Sequence, residues 1–98
     1  MNLGTYLADL NKLDDAIVAY RKGIELKPDL AEAYFNLGNA LFNQKKLEEA
    51  VAAYRKAIDL KPDLVDTYFN LGTSLRAQNK LDDAVAAYRG ADTPTLAN

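Results

Sequence analysis

The stretch YFNLGNALFNQKKLEEAVAAYRKA, Tyr34 to Ala57, returns 34 residues later as YFNLGTSLRAQNKLDDAVAAYRGA, Tyr68 to Ala91. The same shift lays NLGTYLADLNKLDDAIVAYRKGIELKPDL, Asn2 to Leu30, over Asn36 to Leu64. About half or more of the aligned positions are identical, far beyond chance for unrelated helices. The repeat array therefore covers residues 1–91, with one complete unit, 31–64. The units 1–30 and 65–91 are incomplete, and 92–98 is a tail outside the repeat.

Each unit reads as two helices. Tyr34, Leu37 and Leu41, with Tyr68, Leu71 and Leu75, stand at i, i+3, i+7 and make one apolar stripe. Leu47, Ala50, Val51, Tyr54, Ala57 and Ile58 make a second stripe of helical period. Asp29-Leu30-Ala31-Glu32 reads as a capping box, and Asp63 to Asp66 as a weaker copy. The acidic pairs Asp14/Asp15, Glu48/Glu49 and Asp82/Asp83 are expected in the first turn of each second helix, where the helix dipole favours negative charge. Pro28 and Pro62 lack the N–H needed to continue a helix, so each second helix ends before them. Short connections force antiparallel neighbours. Gly4, Gly38 and Gly72, facing Ala16, Ala50 and Ala84, allow close approach within each hairpin. These readings predict an all-α fold, a right-handed α-solenoid of three hairpins with about six helices.

Tyr34, Leu37, Gly38, Leu41, Ala50, Tyr54, Ala57 and Pro62 at this period resemble the tetratricopeptide repeat (TPR) signature. Gly23 departs from it where Ala is usual. Lys45 stands where the inter-helix turn usually has Gly, whereas Asn11 and Asn79 suit that left-handed position better. The resemblance implies a scaffold that holds a peptide or partner segment in the concave groove lined by the first helices. Without the core stripe, those helices keep Glu32, Phe35, Asn36, Asn39, Phe42 and Asn43 in the middle unit. The last unit keeps Asp66, Phe69, Asn70, Thr73 and Arg76, and the first unit keeps Asn2. Asn2, Asn36 and Asn70 recur at one position, and a carboxamide can grip a peptide backbone through both donor and acceptor. Such a ladder resembles that of O-linked N-acetylglucosamine transferases. Phe35, Phe42 and Phe69 are candidate apolar anchors.

Chaperone-binding members clamp a C-terminal carboxylate with Lys, Asn and Arg. The matching places here are Met1, Thr5, Asn36, Asp66 and Asn70, and Asp66 with Glu32 would repel a carboxylate. The expected partner is thus a neutral or basic peptide with apolar side chains. A self-assembling unit, stacked head to tail or exchanging helices, is the alternative, as is a recruitment fragment of a larger enzyme.

Composition points the same way. With no Cys and no His, the chain lacks thiol chemistry, the commonest general base and the commonest transition-metal ligand. Its one Ser, Ser74, has no His to activate it. No enzyme, cofactor or metal is expected. A net charge of −2 gives no attraction for nucleic acid. No apolar run is long enough to insert in a membrane, and no targeting signal is visible, so a cytoplasmic location is expected.

Overall fold

The computed structural model describes the backbone of residues 3–92 and the side chains of 12–91. Five helices follow one another: α1 (Leu3–Leu26), α2 (Ala31–Asn43), α3 (Leu47–Leu60), α4 (Val65–Ala77) and α5 (Leu81–Asp92). The described residues contain no strand. Helices α2 and α3 form one hairpin and α4 and α5 the next, while α1 packs on α2 and α3 packs on α4. One core runs through the stack. It gathers Ile17 of α1, Leu37 and Leu41 of α2, Ala50 and Tyr54 of α3, Leu71 and Leu75 of α4, and Ala84 and Ala87 of α5.

The hairpin turns rest on one left-handed residue each. Lys45 has φ 64° and Asn79 φ 63°. Around the first, Lys46 N–H donates to the Leu41 carbonyl at 2.9 Å and Lys45 N–H to that of Phe42 at 2.8 Å. Lys80 to Leu75 and Asn79 to Arg76, both 2.9 Å, repeat the pattern. These pairings satisfy carbonyls that the helix end leaves open.

Three details differ from expectation. The count is close to the expected six or so: the described residues hold five helices, because α1 runs unbroken through the place of the first hairpin turn. Continuing a helix already formed adds one backbone hydrogen bond for each residue fixed, without the cost of nucleating a second helix. Continuing the helix also avoids a left-handed residue.

Secondly, Asp14 and Asp15 lie mid-helix in α1, although Glu48/Glu49 and Asp82/Asp83 do occupy first turns. Thirdly, the capping boxes do not form. The N-caps are Leu30 and Leu64, neither with a side-chain hydrogen bond, because α2 and α4 each start too late for Asp29 or Asp63 to reach.

The helix glycines work differently from one another. A Cβ on Gly38 would lie 2.6 Å from Tyr54 Cε1, and one on Gly72 2.7 Å from Tyr88 Cδ1. The close partner within each hairpin is thus a tyrosine ring rather than Ala50 or Ala84. Gly23 has nothing within 4 Å of such an atom.

Candidate functional site

Neighbouring first helices α2 and α4 enclose a hollow of about 320 Å³, lined by Asn39, Phe42, Asn43, Tyr54, Asn70 and Thr73. Its floor is a hydrogen-bonded group. Tyr54 Oη donates to Asn39 Oδ1 at 2.5 Å, and Asn70 Nδ2 donates to the same oxygen at 2.9 Å. Asn39 therefore spends its acceptor on holding the site together. Its Nδ2 keeps two N–H donors, and Asn70 Oδ1 keeps an acceptor. Burial pushes the Tyr54 phenol up to about 12, opposed by the hydrogen bond with Asn70, so the ring stays a neutral donor across ordinary pH.

One unit further on, the pattern recurs with a smaller side chain. Thr73, the counterpart of Asn39, lies 3.1 Å from Tyr88 Oη, and its hydroxyl also donates to the Phe69 carbonyl at 3.0 Å. Phe69, Thr73, Arg76, Tyr88 and Ala91 line a second, shallower hollow of about 390 Å³.

The sequence-derived groove residues separate into groups. Asn39, Phe42, Asn43, Asn70 and Thr73 come together in the first hollow. Phe35 packs on Tyr54, ring centroids 6.1 Å apart, and Phe69 on Tyr88 at 5.5 Å. Phe69 nevertheless stays 57% exposed, whereas Phe35 and Phe42 are half-buried. Asn36 is exposed and does not line the hollow. Glu32 pairs with Lys61 at 3.5 Å, which offsets its charge at the groove entrance, while Asp66 stays exposed in the first turn of α4. Asn2 lies outside the described residues. The sequence pattern marks Tyr54 as core alone. Its hydroxyl is a groove residue too, and the signal was available, since a buried Tyr oxygen needs a partner on the facing helix.

Among the described residues no group of acidic side chains could hold a metal ion, and no helix is long and apolar enough to cross a membrane.

The profile of the TPR repeat family matches residues 4–45 and 38–75, and a second tetratricopeptide repeat profile matches 66–91. Among curated proteins none matches. The fold is similar to a crystal structure of MamA, TM-score 0.81 at 28% identity, over 91% of this chain and 52% of that one. A second MamA structure gives 0.80 at 28%, over 91% and 49%. The chain thus spans about half the length of the MamA chains it matches. It is also similar to the first TPR of Spaghetti (RPAP3) bound to the HSP90 peptide SRMEEVD, TM-score 0.80 at 27% identity, over 90% of this chain and 70% of that one. With family profiles over most of its length and an all-helical hairpin stack of this kind, the chain belongs to the tetratricopeptide repeat family.

Proposed function

We propose that the chain is a non-catalytic module that holds an extended peptide segment in the α2–α4 groove. The observation that carries this reading is the pair of carboxamides at Asn39 and Asn70, locked by Tyr54. The free Asn39 Nδ2 suits a peptide carbonyl, and the free Asn70 Oδ1 suits the N–H of a peptide unit. Asn36 and Asn43, exposed nearby, extend the polar track. Phe42 and Phe69 supply apolar contact for alternate side chains. The backbone grip sets affinity, and charge sets preference. Asp66 at one end favours a neutral or basic segment over a carboxylate terminus. Arg76 at the other end is a single cation and makes no clamp.

A fluorescence anisotropy titration tests this with three labelled peptides: one neutral, one basic, each carrying Phe and Leu, and the acidic SRMEEVD. The neutral or basic probe should bind more tightly than the acidic one. Asn39→Ala/Asn70→Ala should weaken it about tenfold, as expected for two lost hydrogen bonds. Unchanged affinity with helix content preserved would remove the carboxamide grip. Preference for SRMEEVD would overturn the charge argument.

A further inference from the structure

We infer that two copies of this chain exchange the front halves of their α1 helices, each copy supplying the helix that covers the other's half-open face. The inference is separate from the peptide groove and starts from α1 itself. In the complete unit α3 packs on both α2 and α4, which leaves Ala50 and Ala57 0% and Tyr54 1% exposed. Their counterparts on α1 are Ala16, Gly23 and Tyr20, and all three are only half-buried. Leu26, counterpart of the half-buried Leu60, is 74% exposed. Among the described residues no helix covers that face.

The chain does contain a segment of the right sequence. Residues 2–8, NLGTYLA, carry the pattern of NLGNALF in α2 and NLGTSLR in α4, the two helices that seal such faces. Here, however, its residues from Leu3 on are the front of α1, and a continuous helix cannot fold onto itself. The tyrosine bond makes the point quantitative. Tyr54 reaches Asn39, and Tyr88 reaches Thr73, each 15 residues back across a hairpin. The matching pair is Tyr20 and Thr5. Along one continuous helix these positions stand about 22 Å apart, at 1.5 Å per residue. Only the front half of a second α1 can bring a Thr5 to Tyr20.

The register follows from the hairpins. Gly38 lies under Tyr54 and Gly72 under Tyr88, so Gly4 of one copy belongs under Tyr20 of the other. Antiparallel pairing in that register is symmetric about Lys12. It is therefore isologous and closes as a dimer rather than growing into a fibre. It also gives each copy a sealed first unit while α1 stays unbroken.

The test uses the whole chain, with sedimentation equilibrium from micromolar to millimolar protein. The expected mass is twice 10.8 kDa at the upper end. Since the chain has no cysteine, Leu7→Cys/Ala16→Cys provides a unique pair at the counterparts of Leu41 and Ala50, two members of one core cluster. On oxidation the disulfide should join two chains. Leu10→Gln/Asn11→Gly, which restores the turn, should return the protein to monomer. A single-chain mass at every concentration, a disulfide within one chain, or a dimer that survives the turn variant would each overturn the exchange.

Discussion

Gly38→Ala and Gly23→Ala are the same chemical change on two helices of one fold, and they should have opposite signs. In a helix interior, Ala is favoured over Gly by about 1 kcal/mol. At Gly23 nothing lies within 4 Å of the new methyl, so that gain is realised in full. At Gly38 the methyl would meet three atoms of the Tyr54 ring at 2.6, 2.7 and 3.0 Å. To reach ordinary contact the ring must retreat by about 0.8 Å, on the steep repulsive side of the potential. It has little room to do so, being 1% exposed and tied to Asn39 by its hydroxyl. Overpacking of this kind costs about 1–3 kcal/mol, and loosening the hydroxyl bond adds about 1 kcal/mol. Net of propensity, Gly38→Ala should destabilise by about 1–3 kcal/mol. For a chain of this length, 1 kcal/mol moves Tm by about 4–8 °C. Thermal unfolding followed by circular dichroism should therefore place Gly23→Ala above the parent and Gly38→Ala well below it. In a Tyr54→Leu background, Gly38→Ala should cost much less, because the ring it strikes is gone. A Gly38→Ala variant as stable as the parent would refute the close-approach argument, as would an equal cost in both backgrounds.

Two further outcomes follow from single residues. Lys45 holds φ 64° without the freedom of Gly, so Lys45→Gly should stabilise by about 1 kcal/mol in urea unfolding, whereas Asn79→Gly should gain less. The Tyr54 phenol, raised to about 12 by burial, makes stability pH-dependent in alkali. The unfolded chain releases this proton first, near 10, so stability should fall between about pH 10 and 12, by at most about 1.4 kcal/mol per pH unit. Tyr54→Phe should flatten that part of a pH–stability curve, and an unchanged slope would remove Tyr54 as its source.

Residue by residue, the sequence exposes most of the architecture because packing repeats with it. The stripe of Leu37, Leu41, Leu71 and Leu75 is buried as its spacing requires, and the helices stop at Leu26 and Leu60, ahead of Pro28 and Pro62. Lys45 and Asn79 take the left-handed turn that their position demands. What periodicity hides is competition between local and tertiary terms. Leu10 and Asn11 match a turn by alignment, yet α1 continues through them, since extending a formed helix avoids the cost of nucleating another. The groove shows a second limit. Repetition aligns Asn36 with Asn70, which suggests equal roles, but among the described residues it is Asn70 that holds a carboxamide of the unit before it. Which side of a helix a polar group serves depends on its neighbour across the unit boundary, and that neighbour is not legible from one unit's spacing.

The Asn70–Asn39 bond has a mechanical consequence. It crosses from one repeat to the next, and in stacks of this kind cohesion between neighbours is a separate contribution to stability from the fold of each hairpin. A peptide bridging both carboxamides, as proposed, would span the same joint. Ligand affinity and the stiffness of the stack are then two readings of one quantity, so a segment that binds well also resists the unzipping of the last hairpin from the one before it.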